Sequence, residues 1–262
     1  MMLRTFVLSG CLFAGVAAAN PRALPFTYPT ESLPEGEIEF EQFVDLTPVP
    51  GLNLEGERSL QPLAVLTTEL EYGITDALEL GLYLQLSSDP SLGTGVTPVF
   101  LDGVKQRLRY RLADPGEWPV DVAFYGEVAE LHDELELEGK VLLQRRFGPF
   151  RVATNLVLEH ELYYSGEREW VFAPTLGVTW SPRASFSLGL EGFLHMEFGN
   201  PEAEGSFNAA PHLFVGPAVM YQWKRLWLSA GAYVRTDSWN RPAQDGDAFG
   251  RVWTRAIVGL SI

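Results

Sequence analysis

The chain has 262 residues, 46% of them hydrophobic, and a formal net charge of -15. That acid excess excludes the basic surface a nucleic-acid partner needs. Apolar runs of about 20 residues are absent, which excludes a bundle of membrane helices, but not a barrel whose lipid-facing residues alternate with lumen-facing ones.

Residues 1–19 read as an export signal. Arg4 gives a positive n-region, "FVLSGCLFAGVAAA" an apolar run, and Ala17 and Ala19 a small-residue cleavage site before Asn20. The single cysteine, Cys11, follows "LSG", which resembles the box before a lipidated cysteine. The apolar run continues past it to Ala19, so cleavage without lipidation is expected. A chain starting near Asn20 then has no disulfide or thiol chemistry. Residues 20–35, "NPRALPFTYPTESLPE", carry four prolines and no period, and read as an irregular periplasmic lead-in.

From Gly36 onward, alternating segments recur at 36–46, 60–74, 77–87, 98–112, 119–130, 135–145, 150–163, 169–180, 185–198, 209–223, 226–236 and 249–262. The stretch 66–87, "LTTELEYGITDALELGLYLQLS", is typical: Leu70, Tyr72 and Ile74, then Leu78 to Leu86 at every second position, interrupted at Thr75-Asp76. Period-two alternation broken by a tight turn predicts a hairpin with one apolar and one polar face.

The connections alternate in length. Thr75-Asp76, 113–119, 145–150, 181–184 and 224–225 are tight turns by composition, while 47–59, 88–97, 199–208 and 237–248 are longer, with 131–134 and 164–168 as modest exceptions. A soluble sandwich has no reason to collect its tight turns at one end, but an outer-membrane barrel does. Aromatic residues strengthen this reading: Tyr72, Tyr110, Trp180 and Trp223 lie on apolar faces near the tight turns, and Phe100, Trp170, Phe172 and Phe198 toward the other end. Rings at both rims of an apolar band match interfacial girdles. The expected fold is all-β: a closed antiparallel transmembrane β-barrel of about 12 strands in an up-and-down meander, spanning 36–262.

The polar faces then point inward. Glu69, Glu71, Glu79, Lys105, Arg107, Arg109, Arg111, Glu127, Glu159, Glu161, Glu191, Arg251 and Arg255 are the candidate lumen-lining residues. In a meander, "KQRLRYR" lies between Glu79 and the Asp121–Glu127 strand. If the barrel closes, Arg251 and Arg255 meet Glu37–Asp45 across the seam. Twelve strands leave a lumen between a filled and a wide one, so a thin water path, a binding groove or a plug formed by the lead-in are all compatible.

No catalytic or metal site is expected, and no cofactor. Outer-membrane lipid hydrolases pair a His with a Ser two residues later, and none of His132, His160, His195 or His212 is so followed. "HELYY" at 160 lacks the second His of a zinc protease motif. Paired Glu side chains recur on many strands, as a lining does and a catalytic pair does not.

The segments "FTYPTESLPEGEIEFEQF", "TELEYGITDALELGLYL" and "FVGPAVMY" (214–221) resemble a large group of bacterial outer-membrane barrels labelled after the MetA phenol-degradation pathway and described as transporters. The resemblance covers most of the chain after residue 19 and implies fold and location, with no functional residues to carry over. The last strand ends in Ile262, where barrels of this kind often end in an aromatic residue. The expected function is passive or facilitated passage of small solutes across the outer membrane, with a mild cation preference from fixed carboxylates. Expected partners are the bilayer, the outer-membrane assembly machinery and a small solute. The alternatives are a non-conducting surface barrel acting through 199–208 and 237–248, a lipid hydrolase at the rim, and a soluble periplasmic β protein.

Overall fold

The computed structural model describes residues 21–52, 57–88, 99–198, 211–236 and 250–262. The expected export signal with Cys11, the connections 199–208 and 237–248, and most of 88–97 lie outside the described residues. Alternation produces thirteen strands: β1 (Ile38–Leu52), β2 (Arg58–Gly73), β3 (Leu78–Ser88), β4 (Val99–Arg111), β5 (Asp121–Leu131), β6 (Glu134–Phe147), β7 (Phe150–Tyr163), β8 (Arg168–Phe172), β9 (Thr175–Arg183), β10 (Phe186–Phe198), β11 (His212–Trp223), β12 (Leu226–Arg235) and β13 (Val252–Ser261). Each pairs antiparallel with its neighbours, and β13 pairs with β1, from Glu39 opposite Ser261 to Leu46 opposite Thr254. The sheet is therefore a closed barrel without edges.

The thirteen strands fill twelve positions, because β8 and β9 share the expected segment 169–180. Both pair with β7 on one side and β10 on the other, in the same register on either side of the interruption, and the β9–β10 ladder shifts only near its end, between Phe186 and Leu188. The interruption falls at Ala173-Pro174. The Ala173 amide donates to the Val157 carbonyl at 3.1 Å and Leu194 donates to the Pro174 carbonyl at 3.0 Å, but Pro174 has no N–H to return. A second irregularity lies in β4, where Asp102 is the extra residue between Gly103 opposite Gln85 and Leu101 opposite Leu86. Beyond this bulge Val99 and Leu101 face out, 52% and 59% exposed, so Phe100 falls in the opposite phase and does not join the outer girdle. A one-residue insertion inside a strand leaves no mark on composition.

The tight connections 74–77, 112–120, 148–149, 184–185 and 224–225 all lie at one end of the barrel. Gly148 and Lys224 take positive φ there, 58° each, which short hairpin turns require. Outward-pointing Leu70, Leu82, Leu84, Leu108, Phe124, Leu156 and Leu188 are each more than two-fifths exposed, a continuous apolar belt around the barrel. Such a belt would drive aggregation in water and suits hydrocarbon. Tyr72, Tyr110, Trp180 and Trp223 rim it at the turn end, and Trp170 at the other.

Inward side chains are large where facing strands allow it. Trp227 is fully buried against Phe43 and Ile257, and donates its Nε1–H to Glu39 Oε1 at 2.7 Å. Gly259 makes room for it, since a Cβ there would overlap the indole ring. Gly259→Ala is expected to cost about 1–3 kcal/mol through overpacking, read as a lower midpoint in urea unfolding of the refolded barrel. An unchanged midpoint would mean that the indole moves aside freely.

Candidate functional site

The lumen of the turn-side half is occupied by residues 21–35. They form no strand, because prolines at 21, 25, 29 and 34 remove ladder donors. The same prolines suit a buried irregular segment, which must find a partner for every N–H it has. The barrel wall supplies several. Glu191 Oε1 accepts from the amides of Phe26 at 3.1 Å and Thr27 at 2.5 Å. Asn155 takes the Tyr28 amide at 2.7 Å and donates back to its carbonyl at 3.0 Å, and Glu79 Oε2 accepts from Leu33 at 2.7 Å. Leu24 sits over Gly177 and Gly189, where a Cβ at either position would run into its methyl groups. Phe26 packs among Phe193, Tyr233 and Trp253 under the Arg255 guanidinium, 3.9 Å from its ring. The lead-in thus touches walls on all sides and returns to the turn end, where Ser32 donates to the Asp76 carbonyl at 2.7 Å. Glu31 bonds Gln144 at 2.9 Å and pairs with Arg146. Burial opposes its charge, but Arg151 and Arg146 more than compensate and hold its carboxyl below the usual range.

Beside the lead-in runs a network of buried charges. Arg107 donates through Nε to Glu69 at 2.9 Å and to the Tyr83 hydroxyl at 2.7 Å, through Nη1 to Glu79 at 2.6 Å, and through Nη2 to Glu71. Arg109, directly across from Glu79, reaches both its oxygens at 2.7 and 2.8 Å. Arg22 of the lead-in completes the set: its Nη2 lies 3.0 Å from Glu41, 2.9 Å from Glu69 and 2.9 Å from Glu71. At the seam Arg255 faces Asp45 at 2.7 Å, the meeting of opposite charges that closure requires. Buried ions of this kind need full pairing to offset their desolvation.

Toward the long-connection end lies a cavity of about 160 Å³. Tyr28 and Phe43 line it and also stack on Arg22, at 4.1 and 5.1 Å, so they form its floor. Its walls hold Tyr83, Tyr125, Lys105, Lys140, Glu127, Glu136, Glu138 and Glu159. Carboxylates face one another directly across strands here: Glu127 with Glu138, Glu138 with Glu159, Glu136 with Glu161, and Glu161 with Glu169. Like charges in those positions repel. Lys105, 3.4 Å from Glu136 and 3.6 Å from Glu127, and Lys140, 2.8 Å from Glu138, offset part of that.

Of the residues singled out from sequence, Glu69, Glu71, Glu79, Arg107 and Arg109 come together deep inside, fully packed, and Glu191 is buried apart from them against Phe26, Thr27 and Tyr233. Lys105, Glu127 and Glu159 line the cavity, with Arg255 at its edge, and Glu161 lies beyond them, held by the Tyr163 hydroxyl at 2.6 Å. Arg111 serves the turn end, donating to the carbonyls of Ala113 and Asp76 at 2.9 and 2.8 Å. Arg251 is exposed just ahead of β13. Sequence reasoning passed over Arg22, Asn155 and the ring set Tyr28, Tyr83 and Tyr125. A lone cation in a proline-rich segment, just before the acidic first strand, was the available signal for Arg22. His160 stacks on Trp170 at 4.1 Å, with its Nδ1 against the Glu169 carbonyl, which accounts for its place on the outer face.

A closed antiparallel barrel, apolar outside and charged within, is the architecture of an outer-membrane barrel. Solved outer-membrane proteins share the fold. The NanC porin aligns over 86% of this chain and 98% of its own with a TM-score of 0.55 and 8% identity, and an outer-membrane channel of Pseudomonas putida F1 aligns over 89% and 98% with a TM-score of 0.52 and 11% identity. At such identities the likeness establishes the fold. No family model matches the chain, and no curated protein matches it by sequence.

Proposed function

We propose that the protein is an outer-membrane channel for small solutes, exported through its first 19 residues and held narrow by its own lead-in. The observation that carries this reading is the inward charge of a closed, outwardly apolar barrel, with a polar cavity above the lead-in. An inert structural barrel would gain nothing from opposing Glu side chains across Glu127, Glu138 and Glu159, whereas a passage for cations would, because fixed carboxylates raise the local cation concentration. Carboxylates outnumber ammonium groups around the cavity, which supports mild cation preference.

The test is single-channel conductance of the refolded protein in a planar bilayer under a salt gradient, after heat-modifiable gel mobility has shown the barrel to be folded. Discrete steps with cation preference are expected, and Glu136→Gln with Glu159→Gln should reduce that preference. A folded, inserted but silent barrel would overturn the channel reading and turn attention to 199–208 and 237–248.

A further inference from the structure

Arg22 is held by the wall as a ligand is held by a receptor. Its guanidinium is 2% exposed, contacts Glu41, Glu69 and Glu71 from one side, and stacks against Tyr28 and Phe43. Glu41 is fully buried, and neither of its oxygens has a hydrogen bond among the described residues; Arg22 is its ion-pair partner. Around this point five buried carboxylates, Glu39, Glu41, Glu69, Glu71 and Glu79, lie among three guanidinium groups, Arg22, Arg107 and Arg109. The set holds fewer cations than carboxylates. Withdrawing the lead-in would remove one of these cations and leave Glu41 without its ion-pair partner, in a lumen whose fixed carboxylates then draw a replacement cation.

We infer that the Glu41–Glu69–Glu71 cage is a binding site for a small guanidinium-bearing cation, and that Arg22 is its tethered occupant, so that the lead-in leaves by exchange with such a cation. Ring contact favours guanidinium over a simple metal cation: one nitrogen, Nη2, meets all three carboxylates while the weakly hydrated flat group lies against Phe43 of the wall. The cavity ends on Tyr28 and Phe43, one ring away from the cage, and so gives a free cation its approach. This inference deepens the channel reading by naming the cation its interior recognises and how the passage would open.

The test uses the full chain with Cys11→Ser and Thr30→Cys. Thr30 is fully buried and its hydroxyl has no hydrogen-bond partner among the described residues, so the change is mild. Maleimide labelling of the thiol introduced at position 30 reports the lead-in leaving the lumen. Guanidinium chloride is compared with NaCl and with urea at equal, non-denaturing concentration, and heat-modifiable mobility checks that the barrel is intact. Guanidinium should speed labelling about tenfold once it reaches about ten times its Kd, while Na+ and urea should not. With Arg22→Ala added, guanidinium can fill the vacated cage beneath the lead-in, so the acceleration should vanish or reverse. Arg22→Gln serves the same purpose if the alanine variant does not fold. Equal labelling in all three solutes, or an undiminished guanidinium response without Arg22, would overturn the inference. Labelling does not depend on ion flow. Guanidinium-driven labelling of a silent barrel would therefore sink the channel reading and keep this one, and a conducting barrel with indifferent labelling would do the reverse.

Discussion

Deleting residues 21–34 is expected to raise single-channel conductance severalfold and to sharpen cation preference, while the barrel still folds. The ladder that closes the barrel runs through β1 to β13 without using the lead-in, so heat-modifiable mobility should survive. The lumen, by contrast, loses the ring of Phe26 from the Phe193–Tyr233–Trp253 group, the guanidinium of Arg22 and the backbone held by Glu191 and Asn155. Glu41, Glu69 and Glu71 would then face water, with Arg107 still paired to Glu69 and Glu71, and newly hydrated carboxylates draw cations. Unchanged conductance in a folded deletion variant would show that the narrow point lies elsewhere.

Arg107→Ala is expected to lower barrel stability by about 3–5 kcal/mol, the range for breaking a buried ion cluster on one side. Arg107 is the only described residue that joins Glu69, Glu71 and Glu79, and it is 1% exposed. Its loss leaves Glu69 and Glu71 to Arg22 alone and Glu79 to Arg109, and takes a donor from the Tyr83 hydroxyl. The measurement is the urea midpoint followed by tryptophan fluorescence. Adding Glu69→Gln should recover part of the loss, because the second change removes a buried charge that the first left with Arg22 as its remaining cation. A full additive loss would mean that the two side chains act independently. The same geometry changes what neutralising Glu69 and Glu71 would report. Both are locked into ion pairs with Arg22 and Arg107, so their replacement bears on how the lead-in is held as well as on selectivity.

The barrel was readable from residue order because its causes are local and repeated. Leu78 to Leu86 alternate with polar residues, and short turns recur after every second strand, so strand number, meander and the facing of each side chain follow from periods of two and from turn chemistry. The opening of the eighth wall at Pro174 and the bulge at Asp102 escaped, since each is a single residue whose effect depends on what the adjacent strand presents. The charges of the interior were also readable as a face. Which of them meet was not, since Arg109 opposite Glu79 and Arg255 opposite Asp45 depend on the shear of the closed barrel, and neither was their packing. A polar face has the same pattern whether water or another segment lies against it, and residues 21–35 have no period to say where they rest. Arg22 meets Glu69 and Glu71 across 47 and 49 positions, and Thr27 meets Glu191 across 164. Such contacts depend on barrel diameter and on notches such as Gly177 and Gly189, which exist only once all twelve walls have closed, because only then do side chains from distant strands share one small volume.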